Sequence, residues 1–380
     1  MSQFEVRPTA LHRYAGSMQH YADDEVRGAG PFCRRYAGQT GGLHGVLGEL
    51  AGPLTALAGG FADHYDTLAT MWVTTGQQLS STAADYRRAD DDSSARLDRS
   101  YPGGVGVHDA EADGEASLPG LDYSGWHGRG PASDPAAAIR DGMSLDAKIV
   151  DVVFHRITHH HITDPLDAMV GNWDTLRAAA DAWRTLRGRW LGFGSTMSDY
   201  ASGIDHLWDG HAASAFQTWA RRFAGAMQGE GEICGGVALV LDRLADEFER
   251  RYTQAVGLIQ DVIHKLESAG VTAALPYIGE VQIAKKVQES VTTFAKAVGL
   301  AEDVTQLVAR TRATIDGFHR LVAAVDLVAT APARVTAAVG GVAHLVGAAP
   351  AVTSHLSHLR YEPHLAYGGP SAPHFSNSHA

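Results

Sequence analysis

The sequence predicts an all-α protein built from two antiparallel helical hairpins, joined by a disordered acidic linker and followed by a helical C-terminal extension. Three observations carry that expectation. Apolar residues recur at alternating steps of three and four over several heptads in two separate regions, which is the period of a helix face and not of a strand. No stretch alternates apolar and polar residues with β-branched enrichment. Between the two regions, Tyr101 to Ala147 hold eight acids, two arginines, nine glycines and four prolines, a composition that cannot bury enough apolar surface to offset ordering. The boundaries that follow are 1–100 for the first hairpin, 101–147 for the linker, 148–270 for the second hairpin, 271–350 for the extension and 351–380 for a disordered His-rich tail.

In the first hairpin, a helix over Thr9 to Arg27 is marked by Leu11, Tyr14, Met18 and Tyr21, and Gly28, Gly30 and Pro31 stop it. A Gly-rich passage leads to a second helix, whose seam runs through Leu57, Phe61, Tyr65, Leu68, Trp72, Thr75, Leu79, Thr82 and Tyr86. The second hairpin repeats the plan. Its first helix carries Trp173, Leu176, Ala180, Trp183, Arg187, Trp190, Gly194, Met197, Ala201 and Ile204, with only Arg187 out of character. Its second helix starts near Phe216 and continues through Trp219, Phe223, Ala226, Ile233, Val237, Val240, Leu244 and Phe248 to Leu258 and Val262. After Pro276, two or three shorter amphipathic helices are expected. Such narrow seams in small units call for pairing, either of the two hairpins as a four-helix bundle or with a separate helical partner.

Charge and composition exclude several functions. The 380 residues carry 31 Lys+Arg against 43 Asp+Glu, a net charge of −12, so a polyanion such as nucleic acid is repelled. Cys33 and Cys234 are too few for a disulfide framework or a zinc cage and read as two buried thiols or one bridge. There is no nucleophile elbow, P-loop or dinucleotide fingerprint, so no enzyme, no catalytic residue and no cofactor are expected. His155 and His159 read as part of a hydrated helix end, so no metal site is expected; the alternative is that their spacing of one helical turn binds Zn or Ni, with Asp164 as an extra ligand. The N-terminus lacks a basic flank followed by an apolar stretch, so no cleaved secretory signal is expected. Between Arg334 and Arg360 lie 25 uncharged residues, long enough to span a bilayer but interrupted by Gly, Pro and His.

Three Trp-x-Gly triplets occur: Trp126-His127-Gly128 in the linker, Trp190-Leu191-Gly192 inside a heptad run, and Trp208-Asp209-Gly210 where two long helices meet. In the third, Gly210 permits a tight reversal, Trp208 can cover the open end of the hairpin, and Ala212 and Ala213 let the helices approach. On Trp208, Gly210, Ala212, Ala213 and Phe216, the region from Pro165 to Glu267 resembles the WXG (ESAT-type) family of type VII (ESX) secretion substrates. Those are small helical hairpins with the W-x-G in the turn that pair into four-helix bundles. Residues 1–100 are similar to the ESX secretion-associated hairpins of actinobacteria, which end in a Tyr-x-x-x-Asp/Glu signal. Tyr86 and Asp90 occupy that place here, and Tyr21 with Glu25 is a second pair of the same spacing.

The resemblance implies a non-enzymatic secreted substrate or trafficking component that acts by helical pairing. Its partners would be a small WXG-type protein or a second copy, and the type VII secretion ATPase. It would be cytoplasmic before export and secreted or surface-bound afterwards. The alternative implied function is the delivery part of a toxin whose 271–360 region is membrane-active; only in that case is membrane contact expected.

Overall fold

The computed structural model describes residues 6–100, 125–130, 134–135, 145–269 and 280–327. It is all-helical, with long helices packed against each other and no strand among the described residues. Helix α1 (Pro8–Tyr21) opens on proline, whose missing N–H is no loss in a first turn. It buries Leu11, Tyr14, Ala15 and Met18. The expected continuation to Arg27 is not regular α-helix. Ala22–Val26 widen into a π turn, closed by Arg27 N–H on the Ala22 carbonyl at 3.0 Å. The short α2 (Ala29–Phe32) and a second π turn (Cys33–Ala37) follow, then a 3-10 turn (Gly45–Leu50) that feeds α3 (Ala51–Ser100).

Helix α3 runs antiparallel to α1, as paired residues show: His12 with Ser80 and Thr9 with Arg87; farther up α3, Asp63 meets Arg34 of the second π turn. Its expected seam is buried from Leu57 through Thr82, and Tyr86 is half-buried. Within Gly45–Arg96 an 18-residue stretch reaches a mean hydropathy of 1.2, long and apolar enough to cross a bilayer by composition, but the apolar stripe of this helix faces the protein core.

Helices α4 (Leu145–Thr158) and α5 (Asp164–Ala168) precede α6 (Trp173–Asp205). Asn172 caps α6 by accepting from Asp174 N–H at 3.0 Å. The Gly-rich passage is tied to the same spot, with Asn172 N–H on the Gly42 carbonyl and Thr175 Oγ1 on the Gly41 carbonyl. Helix α7 (His211–Ser268), at 1.5 Å per residue about 87 Å long, returns antiparallel along α6. Arg177 pairs with Asp246, Arg187 with Glu232, and Gln217 with the Ala201 carbonyl. Arg187, the misfit in the apolar series, thus bridges to α7 at 3.0 Å.

The region expected to form two or three short helices is instead one, α8 (Glu280–Leu327). No proline falls inside it, and isolated glycines such as Gly299 weaken a helix without breaking it. It runs back along α7 through Lys286 to Ser268, Lys265 to Thr293 and Arg251 to the Asp303 carbonyl. The rest of the expected extension, the 334–360 apolar stretch and the 351–380 tail lie outside the described residues.

One apolar cluster joins all of these elements. Phe61 meets Trp183 at 5.0 Å, Tyr65 stacks on Trp190 at 4.6 Å, and Trp72 sits 6.2 Å from Tyr200 and 6.1 Å from Phe223. Residues 6–100 and 173–268 therefore share a core through direct contact of α3 with both α6 and α7. Of the expected linker, only 125–130, 134–135 and 145–147 are among the described residues, and the rest of it lies outside them. Residues 125–130, assigned by composition to that linker, lie against the body.

Candidate functional site at the α6–α7 turn

Helix α6 stops at Asp205, and the chain reverses through His206 to Gly210. Gly210 adopts φ +105°, a conformation that side chains strongly disfavour, and its carbonyl accepts the first bond of α7 from Ser214 N–H at 3.0 Å. The reversal aims Trp208 inward, where it is 1% exposed and packs 6.1 Å from Phe216. Ala212 and Ala213 are buried beneath it, as their small size suggested.

Two other parts of the chain meet the turn. Trp208 Nε1–H donates to the Tyr86 hydroxyl at 3.2 Å, so the structure brings the turn tryptophan and Tyr86 together. The N-terminal strandlike residues run beside the turn. Val6 forms an antiparallel bridge with Trp208, and Arg7 N–H donates to the Leu207 carbonyl at 2.9 Å. Nothing in the sequence of residues 6–7 announces this, because it depends on backbone and not on side-chain type. Asp90 does not join them. Residues 87–96 of α3 are all exposed, so Asp90 sits on a helix that projects past the Trp208–Tyr86 contact into solvent.

Beside the turn lies an open groove of about 430 Å³, lined in part by Ser198, Ser202, Asp205, Asp209, Gln217 and Arg221. It offers donors and acceptors of both charges, and no described nucleophile stands against a base there. The arrangement suits recognition of a polar surface.

The other expected positions are placed differently. Tyr21 is 4% exposed and packs on Trp72 and Phe193, while Glu25, in the π turn, is 3% exposed and pairs with Arg189 at 3.4 Å. That pair is core and not a surface tag. His155 and His159 do not make a chelate. His155 stacks on His161 with ring centroids 4.2 Å apart, and His159 ends α4 at φ +62° with an exposed side chain. Among the described residues no group of three His, Cys, Asp or Glu side chains could hold a metal ion.

His161 Nδ1 instead meets Asp151 Oδ2 at 2.9 Å, and Asp151 Oδ1 accepts from Ile162 N–H at 2.7 Å. The hydrogen bond and charge of Asp151 raise the His161 pKa above its ordinary value. A raised folded-state pKa means that the stabilisation is complete below the unfolded value, about 6.5, and fades as pH rises through the folded one. Amide exchange over 159–163 is expected to speed up across that interval beyond the intrinsic base dependence. Asp151→Asn should remove the extra dependence.

Cys33 and Cys234 are both buried free thiols. Burial pushes both pKa values up, which disfavours the reactive thiolate. Tyr65 Oη lies 3.9 Å from Cys234 Sγ and accepts from Trp190 Nε1–H. Close by, His64 Nε2 faces Glu230 Oε1 at 3.3 Å, a buried pair across α3 and α7 that the apolar series passed over. The signal was its register: Glu230 falls between Ala226 and Ile233 at steps of four and three. No family model, curated protein or solved structure matches the chain.

Proposed function

We propose that the chain is a non-enzymatic substrate or trafficking component of a type VII (ESX) secretion system. In this reading it is recognised as a folded helical body, through the Trp208–Gly210 turn and the Tyr86–Asp90 segment of α3. The observation that carries it is the Trp208–Tyr86 hydrogen bond, which makes a W-x-G turn and a Tyr-x-x-x-Asp segment neighbours at one end of the molecule. The two hairpins would then serve as each other's partner within one chain, forming the four-helix arrangement that a pair of separate proteins would otherwise supply. The contacts Phe61–Trp183, Tyr65–Trp190 and His64–Glu230 support that pairing. The projecting end of α3 supplies an exposed helix for the secretion ATPase, with Asp90 on its surface and Tyr86 anchored at its base.

The test exploits the exposure of Asp90. Asp90→Ala removes no described core contact, so its melting temperature should stay within about 1 °C of the parent, surface substitutions being within ±0.5 kcal/mol. Export into the culture medium of the producing cell is expected to fall at least tenfold at unchanged cell-associated level. Undiminished export of Asp90→Ala, and of a chain lacking 86–100 that still folds, would remove Tyr86 and Asp90 from the recognition.

A further inference from the structure

The linker contains one side chain whose chemistry does not suit a linker, Trp126, and the structure shows where it goes. Its indole lies in a cleft between the π turn of the first hairpin and α6 of the second. Trp126 Nε1–H donates to the Glu25 carbonyl at 3.0 Å. The ring packs 5.1 Å from Phe32 on one side and 6.4 Å from Phe193 on the other. The Arg189 guanidinium covers its face at 5.2 Å, bonds the Gly125 carbonyl and is held by Glu25 at 3.4 Å. Each contact has a recognition role: an aromatic slot for the ring, a carbonyl for its one donor, and a cation for its π face and the preceding carbonyl.

Two glycines give the cleft its selectivity, one on each side. A Cβ on Gly28 would lie 2.3 Å from Trp126 Nε1, so the floor of the slot must be glycine. A Cβ on Gly128 would lie 2.4 Å from Cγ of the Tyr36 ring, so the second residue after the tryptophan must be glycine too. His127 between them is exposed. Downstream, the Gln39 side-chain amide donates to the Arg129 carbonyl at 3.3 Å, and Arg129 pairs with Asp181 at 3.2 Å. The segment therefore touches both hairpins, with Glu25, Phe32, Tyr36 and Gln39 on one side and Asp181, Arg189 and Phe193 on the other.

We infer that this cleft is a peptide-binding site that reads Trp-x-Gly, with residues 125–130 as its ligand in cis and the middle position left free. The inference rests on the cleft alone and stands or falls separately from the export reading. A tethered ligand enjoys a local concentration in the millimolar range. The wild-type cleft is accordingly filled, and a peptide added in trans must compete with it.

The experiment uses the full chain and a fluorescein-labelled peptide of residues 123–131, followed by fluorescence polarisation. The peptide is expected to bind the Trp126→Ala chain at least tenfold more tightly than the wild-type chain. The same peptide carrying Gly128→Val, and the Trp126→Ala chain carrying Gly28→Leu, are expected to lose that binding at least tenfold. Equal affinity for wild-type and Trp126→Ala chains overturns the inference, as does undiminished binding after either glycine substitution. If Trp126→Ala does not keep a helical circular dichroism spectrum, Trp126→Phe is titrated instead, since it keeps a ring in the slot and removes only the donor. At least threefold tighter peptide binding than to wild type is then expected, and no difference overturns the inference.

Discussion

Trp208→Ala is expected to destabilise the protein by about 3–5 kcal/mol, the range for emptying a fully buried indole. Trp208 is 1% exposed and touches three separate chain segments: Phe216 of α7, Tyr86 of α3 and Val6. Its loss leaves a hole where these meet, and the Tyr86 hydroxyl loses the indole donor. For a domain of a few hundred residues, 1 kcal/mol corresponds to about 2–4 °C, so thermal unfolding should begin roughly 10 °C lower. Trp208→Phe separates filling from bonding. It keeps most of the volume and removes the donor, and should cost about 1 kcal/mol from the lost hydrogen bond. A double-mutant cycle of Trp208→Phe with Tyr86→Phe should return a coupling of about 0.5–1.5 kcal/mol. A coupling near zero would mean that the turn and α3 meet only by packing. Under the export proposal, Trp208→Phe should fold and be exported poorly in proportion to how much the Trp208–Tyr86 geometry guides recognition.

Glu230→Ala is expected to cost a similar 3–5 kcal/mol, for a different reason. Glu230 and His64 are 1% and 5% exposed, and their side chains face each other at 3.3 Å. Removing Glu230 empties a buried site and takes from His64 Nε2 the carboxylate that faces it, so a cavity and the loss of a buried polar contact act together. Replacing both is a different matter. His64→Leu with Glu230→Met takes away both polar groups at once, and such exchanges are neutral or stabilising by about 1–4 kcal/mol. Chemical denaturation of the two single variants and the double variant should therefore give a non-additive pattern, with the double as stable as the parent or more so. Additive losses would show that His64 and Glu230 act independently, with no coupling across the pair. The pair joins α3 to α7, so a stable double variant with weakened specificity of pairing, seen as heterogeneous oligomers, would assign it to register and not to strength.

How much of this was legible beforehand varies by element. The seams of α3 and α6 are legible because a helix repeats its buried face every three or four positions, and Leu57 to Thr82 and Trp173 to Ile204 follow that rule; along α7 the register drifts, so Val240 and Leu258 are half-buried while Leu241, Tyr252 and Ile259 fill the core. The end of α1 departs from the expected regular helix because a π turn inserts its extra residue without any special side chain, and Ala22–Val26 carry no signature of one. Continuity of α8 through Glu280–Leu327, against the expected two or three helices, needs only the absence of a breaker, and no proline falls inside it. His155 and His159 stand at helical spacing in the sequence, but α4 ends at Thr158, so that spacing does not put them on one helix face.

The sequence by itself determined that the chain is helical, where the α6–α7 reversal falls and which faces are apolar. Those properties are local: φ at Gly210, the period of the seams and the volume of the alanines after the turn act over a few residues. Only the tertiary structure decided that α3 lies against both α6 and α7, that Tyr86 reaches Trp208, and that Trp126 leaves the linker for a slot between the hairpins. These contacts join positions more than a hundred residues apart. Such contacts depend on how whole helix faces fit together, and no local period records which of two equally apolar stripes a third will choose.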